Sequence, residues 1–410
     1  MSESRKSLLR EAAFRNFFLG RAISRLGNAF TPLALAFGVL DGGGSAADLG
    51  VILAAVTLPQ LLFLLVGGVV GDRFDRRIIL IGTDLVMGIA QAISAALFIL
   101  DAAELWQLVC LQFLVGCASA FFNPASQGAI RDVVGPERVQ VAQSLLSISG
   151  SSTRIIGPAM AAALIAATDA GVALAIDALS FFISAAFLTR VKMPRKVIAV
   201  SNTIKQDLSA GWQEVSSRSW VWGYILSACV FQATSLPALA ILGPVISKTQ
   251  LGGASAWATV LSVQSVGAVL AGFILMKWRP LFPMRTAVLL LFLSVPLPIV
   301  LAMTEVQVLW LLVPALLAGL SIPMSDTLWF AALAENIPEE AQSRVSSYDW
   351  LGSLAFAPLG YWVIGQMADI YEASLILLSV GILEIVATGA AFALPGIRRL
   401  SRAPQVSASS

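Results

Sequence analysis

Ionisable side chains that lie inside long apolar stretches are the residues through which this chain could do chemistry. Arg21 and Arg25 lie one helical turn apart in the first stretch, Asp84 lies in the third, and Arg154 and Asp177 lie in the fifth and sixth. A charge in a hydrocarbon environment is costly unless it is paired or hydrated. We therefore expect these groups to form ion pairs or to bind protons, and we take them as candidates for coupling.

Structural pairing is the alternative for each of these charges. Arg154 has about fifteen residues of helix on each side, and Asp177 is within reach of its side chain. Asp84 offers a similar partner to Arg21 and Arg25, whose side chains could also extend to the membrane surface. In these cases the sequence leaves a functional role and a structural role open.

Three further acids interrupt apolar stretches in the second half of the chain: Asp326, Asp349 and Glu384. A carboxyl group held away from water is a candidate for reversible proton binding. Asp326 is our first choice for this role.

Most enzyme and metal chemistry is excluded by what the sequence lacks. The chain has no histidine, and Cys110, Cys117 and Cys229 show no CxxC spacing, so we expect no metal site and no disulfide. HExxH, GxSxG and phosphate-cradling motifs are also missing. Residues 339–344 match the E-E-x-x-x-R of CAAX-type intramembrane proteases, but those enzymes also need histidines. We expect no enzyme activity and no cofactor.

The elements that carry these residues are predicted to be membrane helices. The 410 residues are 58% hydrophobic and 12% charged, and the mean hydropathy is +0.84. A net charge of +2 gives no argument for nucleic acid. A spanning helix needs about 20 mainly apolar residues. Twelve such segments fall near 14–40, 50–71, 78–100, 105–130, 139–168, 171–190, 220–247, 254–276, 285–303, 306–334, 343–369 and 373–394.

The charges between the segments predict an orientation. Lys and Arg collect in alternate loops, near residues 73–77, 131–138, 190–218, 277–285 and 398–402. The intervening loops carry acids, and Lys248 is their only base. Because basic loops stay on the cytoplasmic side, we expect a multi-pass inner-membrane protein with both termini in the cytoplasm.

The chain divides near its middle into two related halves. We predict a six-helix bundle at 1–191, a linker with an amphipathic helix at 192–219, a second bundle at 220–396 and a tail at 397–410. Four residues of the first half have counterparts 200 to 205 positions later, with Pro32, Gly116, Pro136 and Pro158 matching Pro237, Gly319, Pro338 and Pro358. The fold class we predict is an all-α membrane protein of twelve helices in two pseudo-symmetric bundles.

The loop after the second segment, residues 68–77, resembles the G-x-x-x-D-R-x-G-R-R signature of the major facilitator superfamily. The matching residues are Gly68, Asp72, Arg73, Arg76 and Arg77, while Asp75 stands where the family has glycine. The resemblance covers the whole chain and implies that this loop is a conformational latch between the halves. A plain cluster of cytoplasmic bases is the alternative.

Gly157 and Pro158, flanked by alanines, resemble the antiporter motif of the superfamily's exporters, although alanines replace its double glycine and Thr153 replaces another glycine. A kinked packing helix is the alternative. Gln112 stands where exporters of the family often carry arginine. The proton-coupling mechanism of those exporters is therefore not carried over directly to this chain. The segments 21–28, 58–77 and 154–158 look most like the branch that contains the enterobactin exporter and the macrolide efflux proteins.

Polar and aromatic residues on the first, fourth, seventh and tenth segments could line a midplane cavity: Asn28, Gln112, Phe121, Asn123, Phe231, Gln232 and Trp329. Aromatic and amide groups together suit a bulky amphipathic compound. We therefore expect a monomeric secondary transporter in the lipid bilayer that exports a drug, antibiotic or siderophore-like molecule by alternating access, with protons as the coupling ion. The alternative is an importer or facilitator of a small metabolite.

Overall fold

The structure is a computed structural model that describes residues 8–191, 212–338, 342, 345, 348–349, 352 and 355–401, with the backbone alone at 64–69 and 71–73. Within these ranges it is helical, and no strand occurs. The helices are α1 Ala12–Asn28, α2 Thr31–Asp41, α3 Ala46–Arg73, α4 Arg76–Ile99, α5 Leu105–Val134, α6 Val139–Ala167, α7 Ala170–Leu188, α8 Ser219–Ala233, α9 Ser235–Ile246, α10 Ala254–Lys277, α11 Pro283–Leu291, α12 Pro296–Leu301, α13 Val308–Asn336, α14 Ala357–Ala368, α15 Ala373–Ala393 and α16 Pro395–Arg399.

Ten helical segments of the described chain are long and apolar enough to cross a membrane. They coincide with ten of the twelve predicted segments, and the all-α membrane fold is confirmed. The predicted segment 139–168 forms α6, in which the serines, Thr153 and Arg154 of the stretch 147–154 lower the hydropathy. The predicted segment 343–369 is described only in part, and its end forms α14.

Three spans of the described chain are broken near their middle. The breaks separate α1 from α2, α8 from α9 and α11 from α12. Pro32, Pro237 and Pro296 lie just after them. Because proline has no backbone N–H, the carbonyl four residues earlier loses its helical donor. Inside a bilayer, side chains of neighbouring helices have to satisfy the polar groups at such a break.

The chain forms two compact units, each with its own core. Unit 1 comprises 1–200, 241–262 and 361–370, as far as these residues are described. Its core contains fully buried aromatic and aliphatic side chains of α1, α4 and α7, among them Phe14, Phe17, Leu80, Phe181 and Leu188.

Unit 2 comprises the described residues of 201–240, 263–360 and 371–410. Its core is built around Trp220 and Trp329, with Val288, Leu328 and Leu333. Of the predicted linker 192–219, residues 192–211 lie outside the described part of the chain. The boundaries of the two predicted bundles stay a prediction.

Two glycines that the repeat predicts to be equivalent make equivalent contacts. A β-carbon placed on Gly116 of α5 would lie 2.3 Å from the carbonyl oxygen of Val56 in α3. A β-carbon on Gly319 of α13 would lie 1.8 Å from the carbonyl oxygen of Gln264 in α10. In each unit, therefore, two long helices approach so closely that only glycine fits between them.

Candidate functional site

A cavity of about 220 Å³ lies inside unit 2. Helices α8 and α13 form most of its wall, and Leu291 of α11 and Asp349 complete it. The lining residues are Tyr224, Ala228, Phe231, Gln232, Leu291, Ile322, Asp326, Trp329, Phe330 and Asp349.

The spacing of the lining residues follows from helix geometry. On α8 they begin at Tyr224 and recur four, seven and eight residues later; on α13 they begin at Ile322 and recur at the same intervals. Residues at these intervals share one face of a helix. The cavity is therefore formed by two helix faces that turn toward each other within unit 2.

Stacked aromatic rings form the rigid part of the cavity wall. The rings of Tyr224 and Trp329 are stacked with centroids 4.5 Å apart and an interplanar angle of 14°. Trp220 meets Trp329 edge-on, with centroids 5.6 Å apart. The indole Nε1 of Trp329 donates a hydrogen bond to Asp349 Oδ2 at 2.9 Å, so this ring is fixed both by packing and by a polar contact.

Two carboxyl groups give the cavity a negative character. The Tyr224 hydroxyl lies 3.0 Å from Ser325 Oγ and donates to Asp326 Oδ1 at 3.3 Å. Asp326 is exposed at the cavity surface, whereas Asp349 is only 8% exposed. None of the lining residues described above is basic. Acids beside aromatic faces suit an organic cation, because both attract positive charge.

The structure brings four of the predicted site residues together in this cavity: Phe231, Gln232, Asp326 and Trp329. Sequence reasoning did not place Tyr224 or Asp349 at the same site. Tyr224 could have been found from its spacing of seven and eight residues to Phe231 and Gln232, which places all three on one helix face. Asp349 was predicted as a buried acid, but the sequence did not indicate its neighbours.

The predicted cavity residues of the first half all belong to unit 1. The side chains of Asn28 and Asn123 are exposed. Phe121 packs on Phe63, with ring centroids 6.0 Å apart. Gln112 is buried, and its Nε2 donates to Gln91 Oε1 at 3.1 Å. Gln112 thus belongs to an internal hydrogen-bond network.

Asp84 and the two arginines of α1 occupy the interior of unit 1. Asp84 is fully buried, and neither of its carboxylate oxygens has a hydrogen-bond partner among the described residues. The Arg21 guanidinium lies over the ring of Phe122, 4.6 Å from its centroid. Arg25 Nη1 donates to the carbonyl oxygen of Leu146 at 2.7 Å. Arg25 therefore ties α1 to α6.

The environment of Asp177 differs from the predicted ion pair with Arg154. Asp177 is fully buried, and the donors described for its side chain are the neutral groups of Thr31, Gln91 and Ser180. The side chain of Arg154 is exposed on α6. Neutral hydroxyl and amide groups of α2, α4 and α7 itself therefore bind the carboxylate of Asp177, where we had predicted the guanidinium of Arg154.

Most side chains described in the signature loop lie at its end. The side chains of Gly68, Asp72 and Arg73 lie outside the described residues. Asp75, which replaces the family's glycine, caps α4 by accepting a hydrogen bond from the backbone N–H of Arg77 at 2.9 Å. The aspartate that replaces the glycine of the signature therefore stabilises the N-terminus of α4.

The last two arginines of the loop connect α4 to other helices of unit 1. Arg76 Nη1 lies 2.7 Å from Asp132 Oδ2 at the end of α5. Arg77 donates to the carbonyl oxygens of Leu188 and Thr189 at the end of α7. A cation at the C-terminal end of a helix is favoured by the helix dipole.

The antiporter-like motif lies beside the break between α1 and α2. A β-carbon on Gly157 would lie 2.5 Å from Cβ of Ala29, which is in the break. Pro158 stands inside α6 without ending it. Gly157 is thus a packing residue that lets α6 approach the broken span closely.

Unit 1 contains a larger cavity of about 420 Å³. It lies where turns join α2 to α3, α4 to α5 and α6 to α7, and its acids include Asp41, Asp48, Asp101 and Asp169. Because turns form much of its wall, it offers less fixed side-chain chemistry than the aromatic cavity of unit 2. We take the cavity of unit 2 as the candidate functional site.

Several known proteins that are similar to this chain are named as transporters or efflux proteins. The chain is 24% identical to macrolide efflux protein A of Streptococcus pyogenes, over 87% of this chain and 89% of that protein. It is 25% identical to the multidrug efflux pump Tap of Mycolicibacterium fortuitum, over 92% and 94%. The match to the uncharacterized MFS-type transporter YfiS of Bacillus subtilis has 30% identity, but it spans about half of each chain, 51% of both.

Solved structures of transporters share the fold. The nucleoside transporter NupG superposes with a TM-score of 0.74, at 11% identity, over 95% of this chain and 100% of that chain. A bacterial homologue of the human lysosomal transporter Spinster superposes with a TM-score of 0.70, at 15% identity, over 97% and 98%. The family described as transmembrane secretion effector matches residues 4–408. The chain therefore belongs to the transmembrane secretion effector family of major facilitator superfamily transporters.

Proposed function

We propose that this protein is a secondary active transporter that exports a small amphipathic cation by alternating access, in exchange for protons. The observation that carries the proposal is the cavity of unit 2, where the carboxyl groups of Asp326 and Asp349 lie beside the stacked rings of Tyr224 and Trp329. Two relatives that align over most of this chain are named for macrolide and multidrug efflux. Their similarity to this chain supports export as the direction of transport.

The cavity chemistry indicates which part of a substrate binds there. A protonated amine gains from a carboxylate and from the face of a tryptophan ring. Apolar groups of the same molecule gain from contact with Phe231, Phe330 and Leu291. A small anion would be repelled by the two carboxylates and would leave the apolar wall without a partner, so a bulky organic cation such as a drug or an antibiotic fits better.

Asp326 is the residue that we propose couples transport to protons. It is exposed at the cavity surface and accepts a hydrogen bond from Tyr224. A carboxylate there binds either a proton or the ammonium group of a substrate, and one excludes the other. Such competition makes the arrival of a proton release the substrate, as proton antiport requires.

The signature loop supports the proposed conformational cycle. Arg76 and Arg77 join the start of α4 to the ends of α5 and α7. We propose that they act together with Gly68, Asp72 and Arg73 as a latch that holds one conformation. In this proposal the protein is a monomer in the bacterial inner membrane, with both termini in the cytoplasm.

The test is uptake of radiolabelled erythromycin, a macrolide, into everted membrane vesicles. In such vesicles export appears as uptake. We expect wild-type uptake to depend on a pH gradient that is acidic inside, and to stop when a protonophore is added. Asp326→Asn should raise KM about tenfold or more, since a hydrogen bond to a charged group contributes roughly 1.5–3 kcal/mol.

The matched control is Asp369→Asn, which removes an exposed acid from the turn after α14. This variant should transport like the wild type. If Asp326→Asn kept full gradient-driven uptake, Asp326 would have no part in coupling. If wild-type uptake did not depend on the pH gradient, proton antiport would be rejected. If cells that lack the protein accumulated less drug than cells that have it, an importer would be favoured.

A further inference from the structure

Each half of the chain carries one buried acid on its last long helix. Asp177 lies on α7 in unit 1 and is 0% exposed; Glu384 lies on α15 in unit 2 and is 3% exposed. The cavity of unit 2 contains neither residue. Since an uncompensated buried carboxylate is costly, the partners of each acid indicate its role.

Asp177 holds the start of the second segment of the first span. Thr31 is the first residue of α2, immediately after the break, and its hydroxyl donates to Asp177 Oδ2 at 2.6 Å. Gln91 of α4 donates to the same oxygen at 3.1 Å. One carboxyl group thus connects three helices at the point where the first span is interrupted.

Glu384 makes the corresponding contacts in unit 2. Ser235 is the first residue of α9, immediately after the break, and its hydroxyl donates to Glu384 Oε2 at 2.7 Å. Ser294, in the turn between α11 and α12, donates to Glu384 Oε1. This acid also connects three spans, and two of them are broken where it binds.

The partners of the two acids are related by the internal repeat. Thr31 and Ser235 are 204 positions apart, and Asp177 and Glu384 are 207 apart. Gln91 and Ser294, which supply the second donor, are 203 apart. All three separations lie close to the offset of 200 to 205 that the glycines and prolines show.

The residues that pack at the start of each break are also equivalent in the two halves. Gly157 would place a β-carbon 2.5 Å from Cβ of Ala29, and Gly360 would place one 2.2 Å from the carbonyl oxygen of Ala233. The two glycines are 203 positions apart and the two alanines 204. Each break is therefore held between a close-packed glycine and a buried acid.

We infer that Asp177 and Glu384 are equivalent positioning residues, which anchor the segment after each break through the hydroxyls of Thr31 and Ser235. They keep the two parts of each broken span aligned while substrate is exchanged, and they touch neither substrate nor the coupling proton. This role rests on the proposed transport function. In a bilayer no solvent replaces these donors, so loss of one hydroxyl frees the segment that it anchors.

Hydrogen–deuterium exchange of the full-length protein in lipid nanodiscs tests the anchoring without any substrate. Thr31→Val and Ser235→Ala remove the hydroxyls. We expect exchange to speed up at least about threefold near the break of the same half, and to stay unchanged in the other half. Thr31→Ser keeps the hydroxyl and should restore slow exchange.

Two other variants serve as matched controls. Among the described residues, the hydroxyls of Thr57 and Ser227 donate to carbonyl oxygens of their own helices, those of Leu53 and Ala54 for Thr57 and that of Tyr224 for Ser227. Thr57→Val and Ser227→Ala should therefore leave exchange at both breaks unchanged. If the controls and the test variants behaved alike, the anchoring role would be rejected. Should Thr31→Val fail to fold, Ser235→Ala and its control decide the result.

Erythromycin uptake into everted vesicles separates positioning from binding. In Thr31→Val and Ser235→Ala we expect the maximal rate to fall about threefold or more, by similar factors, with KM unchanged. A raised KM at an unchanged maximal rate would show that these hydroxyls serve the substrate, against our inference. If the wild type failed to transport erythromycin while the exchange pattern held, the transport proposal would fail and the anchoring would stand.

Discussion

Replacing Gly319 by alanine tests how closely the two long helices of unit 2 have to approach. A β-carbon at this position would lie 1.8 Å from the carbonyl oxygen of Gln264, and ordinary contact begins at 3.4 Å. Helices α13 and α10 would therefore have to separate by roughly 1.6 Å. At Gly116, where the distance to the carbonyl oxygen of Val56 is 2.3 Å, the same change requires roughly 1.1 Å.

We expect both variants to be destabilised by about 1–3 kcal/mol, the usual cost of overpacking, with Gly319→Ala the more severe. The obstacle is backbone in both cases, so a rotamer change cannot relieve it. The measurement is thermal unfolding of the purified protein in detergent, followed by intrinsic fluorescence, together with erythromycin uptake. Gly82→Ala and Gly272→Ala are the controls, because nothing lies within 4 Å of a β-carbon at either position.

The controls should unfold at or slightly above the wild-type temperature, since alanine has the higher helix propensity by about 1 kcal/mol. Wild-type stability of Gly319→Ala would refute the reasoning, because it would mean that the helices do not meet at this glycine. A larger loss in Gly116→Ala than in Gly319→Ala would contradict the ranking by distance.

Two further predictions concern polar contacts. Arg76→Ala should destabilise the protein by about 1–3 kcal/mol, because it leaves the 8% exposed carboxylate of Asp132 without its partner. The double variant that exchanges the two residues, Arg76→Asp with Asp132→Arg, should regain part of the lost stability, measured by thermal unfolding. If it regained none, the effect of Arg76→Ala would be assigned to packing. Asp349→Leu should raise the KM for erythromycin about tenfold, since the indole N–H of Trp329 loses its acceptor. Asp349→Asn retains an acceptor oxygen and should bind erythromycin more tightly than the leucine variant.

The membrane spans and the repeat could be predicted from local features of the sequence. The length of an apolar stretch determines whether it can cross a bilayer, and ten of the predicted segments meet that test in the described chain. Gly116 and Gly319 were predicted to be equivalent and make equivalent contacts. Pro32 and Pro237 each follow a helix break.

Side-chain partners were harder to predict. Helices that are apolar on all sides do not show from their sequence which face meets a neighbour. The neighbours of Asp349 were missed for this reason, whereas Tyr224 could have been placed at the cavity from its spacing to Phe231 and Gln232. The interpretation of Asp177 assumed that a buried acid seeks an opposite charge, whereas neutral donors on α2 and α4 satisfy it.

The two acid networks show why an identity-based search for repeats finds only part of the symmetry. In unit 1 the short acid Asp177 is reached by the long amide of Gln91; in unit 2 the long acid Glu384 reaches the short hydroxyl of Ser294. The acid and its donor are both different residues in the two halves, yet the summed length of the two side chains is similar. Glycine and proline act through the backbone, where no other residue replaces them, so they keep their identity. A hydrogen bond needs only a donor and an acceptor at the right distance. The hydrogen bond is therefore kept when the acid side chain becomes longer and the donor side chain becomes shorter.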